Sequence, residues 1–123
     1  MVGGMPPTAA MREPTYYVLA ALLDGPLHGH AIIKQAETLS QGRVRLAAGT
    51  LYAALDRLTR EGLIATAGHE TVNGRERHYY TLTTTGTTAL HTEAERMAAA
   101  ARLVTTRPTA SRPTATRPAV RFS

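Results

Sequence analysis

The stretch AGTLYAALDRLTREGLIATAGHETVNGRERHYYTL, Ala48 to Leu82, decides the fold. In its first part, Ala48 to Glu61, residues Leu51, Leu55 and Leu58 fall within about 60° of one another at the helical advance of ~100° per residue. That stripe predicts a helix with one buried face, stopped at Gly62. The opposite side carries Gly49, Ala53, Asp56, Arg57 and Arg60, flanked by Thr50 and Tyr52. Two extended runs follow, Leu63 to Val72 and Arg75 to Leu82, joined by Asn73-Gly74. Asn-Gly between such runs predicts a two-residue hairpin, because a type I′ turn needs positive φ at both central positions. The register then sets Val72 opposite Arg75, Glu70 opposite Arg77 and His69 opposite His78.

Upstream, Thr15 to Asp24 (TYYVLAALLD) is apolar on almost every face and ends at Gly25-Pro26, a strong helix stop. A helix apolar all round must be covered on more than one side, by its own core and by a partner subunit. His28 to Leu39 predicts a second helix with Ile32, Ile33, Ala36 and Leu39 inward. Val44-Arg45-Leu46 alternates in the β sense and is expected to form a short strand. Downstream, Thr84 to Val104 reads as a long helix whose apolar positions Leu90, Ala94, Met97, Ala101 and Val104 follow heptad spacing. Three helices followed by a hairpin predict a mainly α, α+β winged helix-turn-helix over 13–83, with a C-terminal dimerisation helix over 84–104.

The ends differ in kind. Residues 1–12 contain Gly3, Gly4, Pro6 and Pro7 and no periodicity, which predicts a flexible arm. From 105 to 123 the chain repeats Thr-Arg-Pro or Ser-Arg-Pro units, with Pro barring helix and little apolar surface to bury, so disorder is expected. The formal net charge of +5 belongs mostly to this tail: Arg107, Arg112, Arg117 and Arg121 with no acid among them. Charge alone therefore says little about the folded part. The tail either tracks DNA phosphates or is a passive extension.

Several function classes drop out. The chain has no Cys, hence no disulfide framework or Cys-based metal site. No run reaches the roughly 18 apolar residues a membrane span needs. Met1 to Ala10 lacks a basic head and apolar h-region, so no secretory signal is expected and a cytoplasmic, nucleoid-associated protein fits. No Gly-x-Ser-x-Gly, phosphate-binding Gly loop or paired carboxylates argue for catalysis, so no enzyme and no cofactor are expected. His69 and His78 face each other, yet two ligands do not make a protein zinc site, and no metal is expected.

The motifs are similar, in order and spacing, to those of PadR-type regulators: Gly25-Pro26-Leu27-His28-Gly29, Gly49-Thr50-Leu51-Tyr52 with Ala54-Leu55 and Leu58 behind it, Glu61-Gly62-Leu63-Ile64, Gly74-Arg75, and Tyr79-Tyr80-Thr81-Leu82-Thr83. The resemblance covers roughly Thr15 to Val104. It implies a homodimer packing the first and last helices of each subunit on the other, and repression of a nearby promoter. It often implies release by a small hydrophobic effector, and the single last helix resembles the family's smaller branch. The chain departs from the pattern at Ala47-Ala48, where Ser-Pro is common, at Ala53, where Pro is usual, and at His30, where Tyr is usual. Ala47 leaves the third helix without a good N-cap, worth ~1 kcal/mol.

Contacts follow from these placements. A helix fits the ~12 Å major groove and its N-terminal half reads base edges. Thr50 suits a base or phosphate, Ala53 a thymine methyl, and Tyr52 either a phosphate or simple packing beside the Leu stripe. Arg57 and Arg60 meet phosphates or solvent. At the hairpin tip Arg75 suits a phosphate or narrow minor groove; Arg77 is a further candidate, though Glu70 opposes it. His28 and Gly29 open the second helix, where a helix N-terminus favours phosphate, and Lys34 supports them. Arg43 and Arg45 lie in a stretch free of acids from Thr38 to Leu55. Dimer contacts are expected from Tyr16, Tyr17 and Leu19 on the first helix and Leu90, Ala94, Met97, Ala101 and Val104 on the last. A hydrophobic ligand would sit near Tyr16, Tyr17, Met97 or Ala101. The leading function is a sequence-specific dimeric repressor on a palindromic operator; the alternatives are a winged-helix protein-interaction module or a nonspecific DNA binder.

Overall fold

A computed structural model gives the protein's structure and describes residues 11–108. The arm and most of the Arg-Pro tail, 1–10 and 109–123, lie outside the described residues. The elements run α1 (Glu13–Ala21), β1 (Leu27–His28), α2 (Gly29–Leu39), α3 (Ala48–Arg60), β2 (Ile64–Val72), β3 (Arg75–Leu82) and α4 (Thr84–Thr105). The three strands form one antiparallel sheet in the order β1-β3-β2. This is the winged helix-turn-helix that the pattern predicts.

Each boundary has a local cause. Pro14 opens α1, where its missing N–H costs nothing. After α2 the Gly42 N–H bonds the Glu37 carbonyl at 2.8 Å, and after α3 the Leu63 N–H bonds the Leu58 carbonyl at 3.0 Å. Both are six-to-one closures of the Schellman kind, which satisfy carbonyls left open at a helix end. Asn73 and Gly74 take φ of 51° and 78°, the left-handed pair that a two-residue hairpin needs. The register is the expected one at His69, Glu70 and Val72, and a bulge follows between Thr66 and His69. At the start of α4 the Thr83 hydroxyl accepts the Gly86 N–H at 2.9 Å and donates to the Gly62 carbonyl at 2.6 Å.

The predicted strand at Val44–Leu46 does not form; the third strand is Leu27–His28, which pairs Leu27 with Tyr80 and His28 with Tyr79. Val44 is buried as its alternation demands, but its N–H goes to the Ser40 hydroxyl at 2.8 Å rather than to a neighbouring strand. Leu27–His28 takes the free edge of β3 instead, because the turn through Leu22–Gly25 delivers it there in extended form.

The chain divides into two compact units between Glu93 and Ala94. The first buries Val18, Leu19 and Leu22 of α1, Ile32 of α2, the stripe Leu51, Leu55 and Leu58 of α3, Ile64 of β2 and Leu90 of α4. The second contains the rest of α4. Among the described residues no helix is long and apolar enough to cross a membrane.

Candidate nucleic-acid interface

His28 ties the second helix to the wing. It is the N-cap of α2, its Nδ1 accepting the Ala31 N–H at 3.4 Å, and it pairs with Tyr79 across the sheet. The two rings meet edge to face, centroids 5.5 Å apart. Nδ1 can accept only while the ring is neutral at that nitrogen. Burial first, then the nearby Arg77 and His30, hold the His28 pKa below its ordinary value, while Glu70 pulls the other way.

Tyr52 leaves α3 at its second turn and lays its ring across Gly29. A Cβ at Gly29 would stand 2.8 Å from Cζ and 3.1 Å from Cε1 of that ring, with the hydroxyl closer still. Only glycine admits this approach. Tyr52 is nonetheless 50 % exposed. It therefore packs and presents a face to solvent, and Thr50 and Ala53 beside it are exposed as well. Tyr80 sits near enough for burial and Tyr52 to raise its phenol pKa.

Across from α2, His28, His30, Arg75 and Arg77 line one open cleft of about 500 Å³. The sequence reading pairs Arg77 with Glu70, and the structure corrects this. The Cα register is as expected, but Glu70 accepts the Tyr79 hydroxyl at 2.9 Å, a diagonal contact on the same face. Among the described residues neither Arg75 nor Arg77 has an ion pair. Both guanidiniums face the cleft uncommitted.

Other basic candidates lie elsewhere. Lys34 lines a separate cleft with Asp24, Gln35 and Thr38. Arg57 donates to the Thr15 hydroxyl at 3.1 Å and lies 4.0 Å from Glu61, so the structure draws it toward α1. Arg60 pairs with Asp56 one turn earlier at 3.2 Å. Arg43 grips Glu13 with two bonds of 2.8 and 3.1 Å, and Arg45 lies 3.7 Å from Glu37. The acid-free stretch is thus neutralised by acids outside it.

Two dimer candidates are corrected. Leu19 is 0 % and Leu90 3 % exposed within their own unit, so both belong to the protomer's core. Tyr16 and Tyr17 are half-buried with their rings edge to face at 5.4 Å. In the second unit Ala94 is half-buried, while Met97, Ala101 and Val104 are exposed, Val104 at 70 %. The histidine pair on the wing is real, centroids 5.6 Å apart, with Glu76 3.5 Å from each Nε2. Among the described residues no group of three or more His, Asp or Glu is arranged to hold a metal.

Sequence reasoning missed His30 as a cleft residue, although its place one turn-start after His28 marks it. It also missed Arg12 and Thr15, which line a small cavity with Leu46, Thr50 and Arg57, more than 30 residues further along the chain, and so leave no local signal.

This architecture has known counterparts. A 37.1 kDa uncharacterized protein in transposon TN4556 of Streptomyces fradiae is 43 % identical over 81 residues, which is 66 % of this chain and 22 % of that protein. The chain thus spans about a fifth of that relative's length. A PadR family transcription regulator of Clostridium difficile superposes with TM-score 0.65 at 22 % identity, covering 77 % of this chain and 97 % of the other. Bacillus subtilis PadR in complex with operator DNA superposes with TM-score 0.58 at 29 % identity, over 65 % of this chain and 46 % of that one. Residues 18–92 match the transcriptional regulator PadR-like family, and the chain is a member of that family.

Proposed function

We propose that this transcriptional regulator is a cytoplasmic homodimer that binds a palindromic operator and represses a promoter, with release by a small hydrophobic effector. One observation carries the DNA reading. Thr50, Tyr52 and Ala53 on α3 run, through Gly29 and His28, into the cleft where Arg75 and Arg77 stand without ion pairs. A helix half exposed for the major groove and a wing with two uncommitted guanidiniums are what base reading and phosphate contact require. The operator complex of the B. subtilis relative supports this reading. The exposed Met97, Ala101 and Val104 of α4, with Leu103 61 % exposed beside them, support a partner on that helix. Twofold symmetry would set two recognition helices about 34 Å apart, matching half-sites one DNA turn apart.

A footprint on the DNA upstream of the protein's own gene tests this directly. A symmetric site with half-sites one turn apart is expected; an asymmetric or absent footprint refutes it. Gel shifts with the full chain and with a chain lacking 105–123 separate the alternatives. Sequence-selective binding by the shortened chain supports the proposal. Binding lost on shortening makes the tail the DNA binder, and no binding by either makes the domain a protein-interaction module. Arg75→Ala is expected to lower the slope of log affinity against log salt by about 0.9, the contribution of one neutralised phosphate.

A further inference from the structure

Beside the first turns of α1 and α3 lies a small cavity of about 160 Å³. Arg12, the N-cap of α1, and Thr15 of α1 line it together with Thr50 and Arg57 of α3, Val18 and Leu46. Its charge is unbalanced. Among the described residues Arg12 has no ion pair, and Glu13, the acid nearest in sequence, is held by Arg43. Arg57 spends one amino group on Thr15, but its Nε is buried without a hydrogen-bond partner. Glu61 stands 4.0 Å from that nitrogen, too far for a hydrogen bond. Neither helix carries a side-chain cap, at Arg12 for α1 or Ala47 for α3, and the Thr15 hydroxyl is the acceptor that Arg57 finds there.

We infer that this cavity is an oxyanion site, taking one phosphate- or carboxylate-sized group between Arg12 and Arg57, with the Thr15 and Thr50 hydroxyls as further donors. Guanidinium forks bind oxyanions through short, charge-assisted bonds, and the half-buried Arg57 and exposed Arg12 both line the cavity. Thr50 links the site to the proposed DNA face. The oxyanion is therefore either a backbone phosphate of bound DNA or a small free anion that sets the position of α3. The first source rests on the DNA-binding reading; the second does not.

The test uses the full chain, labelled with ¹⁵N, titrated with sodium phosphate against sodium chloride at constant ionic strength. Saturating shifts of the Thr15, Thr50 and Ala54 amides, weakened about fivefold or more in Arg12→Gln, assign a free oxyanion. In parallel, the salt slope of operator binding is measured for wild type and Arg12→Gln. A slope reduced by about 0.9 assigns the DNA backbone, and both effects together assign a site shared by the two sources. Arg12→Gln is the decisive variant because Arg12 is exposed and, among the described residues, its side chain makes no ion pair, whereas Arg57→Gln also removes the bond to Thr15. Phosphate shifts that match chloride, or that Arg12→Gln leaves unchanged, together with an unaltered slope, overturn the inference. Tyr52→Ala is the control: if it leaves operator affinity intact the DNA reading fails, and the phosphate titration still decides the free-anion source.

Discussion

Gly29→Ala is the most informative single change, because it reaches the recognition helix from outside it. The new Cβ would lie 2.8 Å from Tyr52 Cζ, where carbon contacts are comfortable at ≈ 3.5–4.0 Å. The ring must retreat by about 1 Å or swing into solvent. It has somewhere to go, since half of Tyr52 is already exposed. Stability should therefore change by no more than about 1 kcal/mol, the lost packing partly offset by the better helix propensity of Ala. The DNA contact cannot absorb the same movement. A hydrogen bond to a charged group contributes about 1.5–3 kcal/mol, so if Tyr52 bonds a phosphate as proposed, losing that bond weakens operator binding about 10- to 100-fold. The decisive assay is a double-mutant cycle in fluorescence anisotropy, with urea unfolding alongside. If Gly29 acts through Tyr52, Gly29→Ala adds almost nothing to Tyr52→Ala. Wild-type affinity in Gly29→Ala, or penalties that add in full, would refute the reasoning.

Three other substitutions probe the frame and the charges. Gly86→Ala puts a Cβ against backbone, 2.8 Å from the Leu63 carbonyl carbon and nearer still to its oxygen, where no flexible side chain can yield; overpacking of this kind predicts a loss of about 2–3 kcal/mol by chemical denaturation, and an unchanged midpoint counts against it. The lowered His28 pKa means the unfolded chain binds the proton more readily, so stability is full above the ordinary pKa of 6.5 and falls as pH drops below it. His28→Asn, which keeps a cap without the titration, should flatten that part of the pH–stability curve, and a wild-type profile in the variant would contradict the role. Tyr79→Phe frees Glu70 to meet Arg77 across the strand pair and should lower the salt slope of DNA binding by up to about 0.9, whereas an unchanged slope would show that Arg77 does not contact phosphate.

The helices and the hairpin were legible because each rests on short-range physics. The Leu51, Leu55, Leu58 stripe is a matter of angle per residue, and Asn73-Gly74 of allowed φ. What was not legible depended on distant partners. Val44–Leu46 alternates like a strand, yet alternation reports only which side chains are buried and not whether an edge is free. Leu27–His28 is too short to show a period and still completes the sheet. In α1 the apolar surface runs all round, so the pattern could not separate Leu19, which its own core covers, from residues left for a partner. Leu90 fits the heptad spacing of α4 equally well as seam or as core. In the candidate site, Tyr52 could be read as packing or as contact because it does both.

Charge shows why a site must be located rather than counted. By sequence the run Arg43 to Arg45 is locally cationic, and Arg77 is a contact candidate opposed by Glu70. The fold changes the partners of all three. Glu13 and Glu37, from outside the run, draw in Arg43 and Arg45, and such exposed pairs contribute little to stability while removing free cations from the surface. The Tyr79 hydroxyl meanwhile occupies Glu70, which leaves Arg77 beside Arg75 in the cleft. The ring of the same Tyr79 meets His28, the residue that caps α2 and pairs with β3, edge to face. Tyr79 thus holds Glu70 through its hydroxyl and, through its ring, joins the wing to the start of α2. Operator affinity should accordingly be more sensitive to residues behind the interface, Gly29 and Tyr79, than to Lys34, Arg43 or Arg45, which carry the more obvious charge.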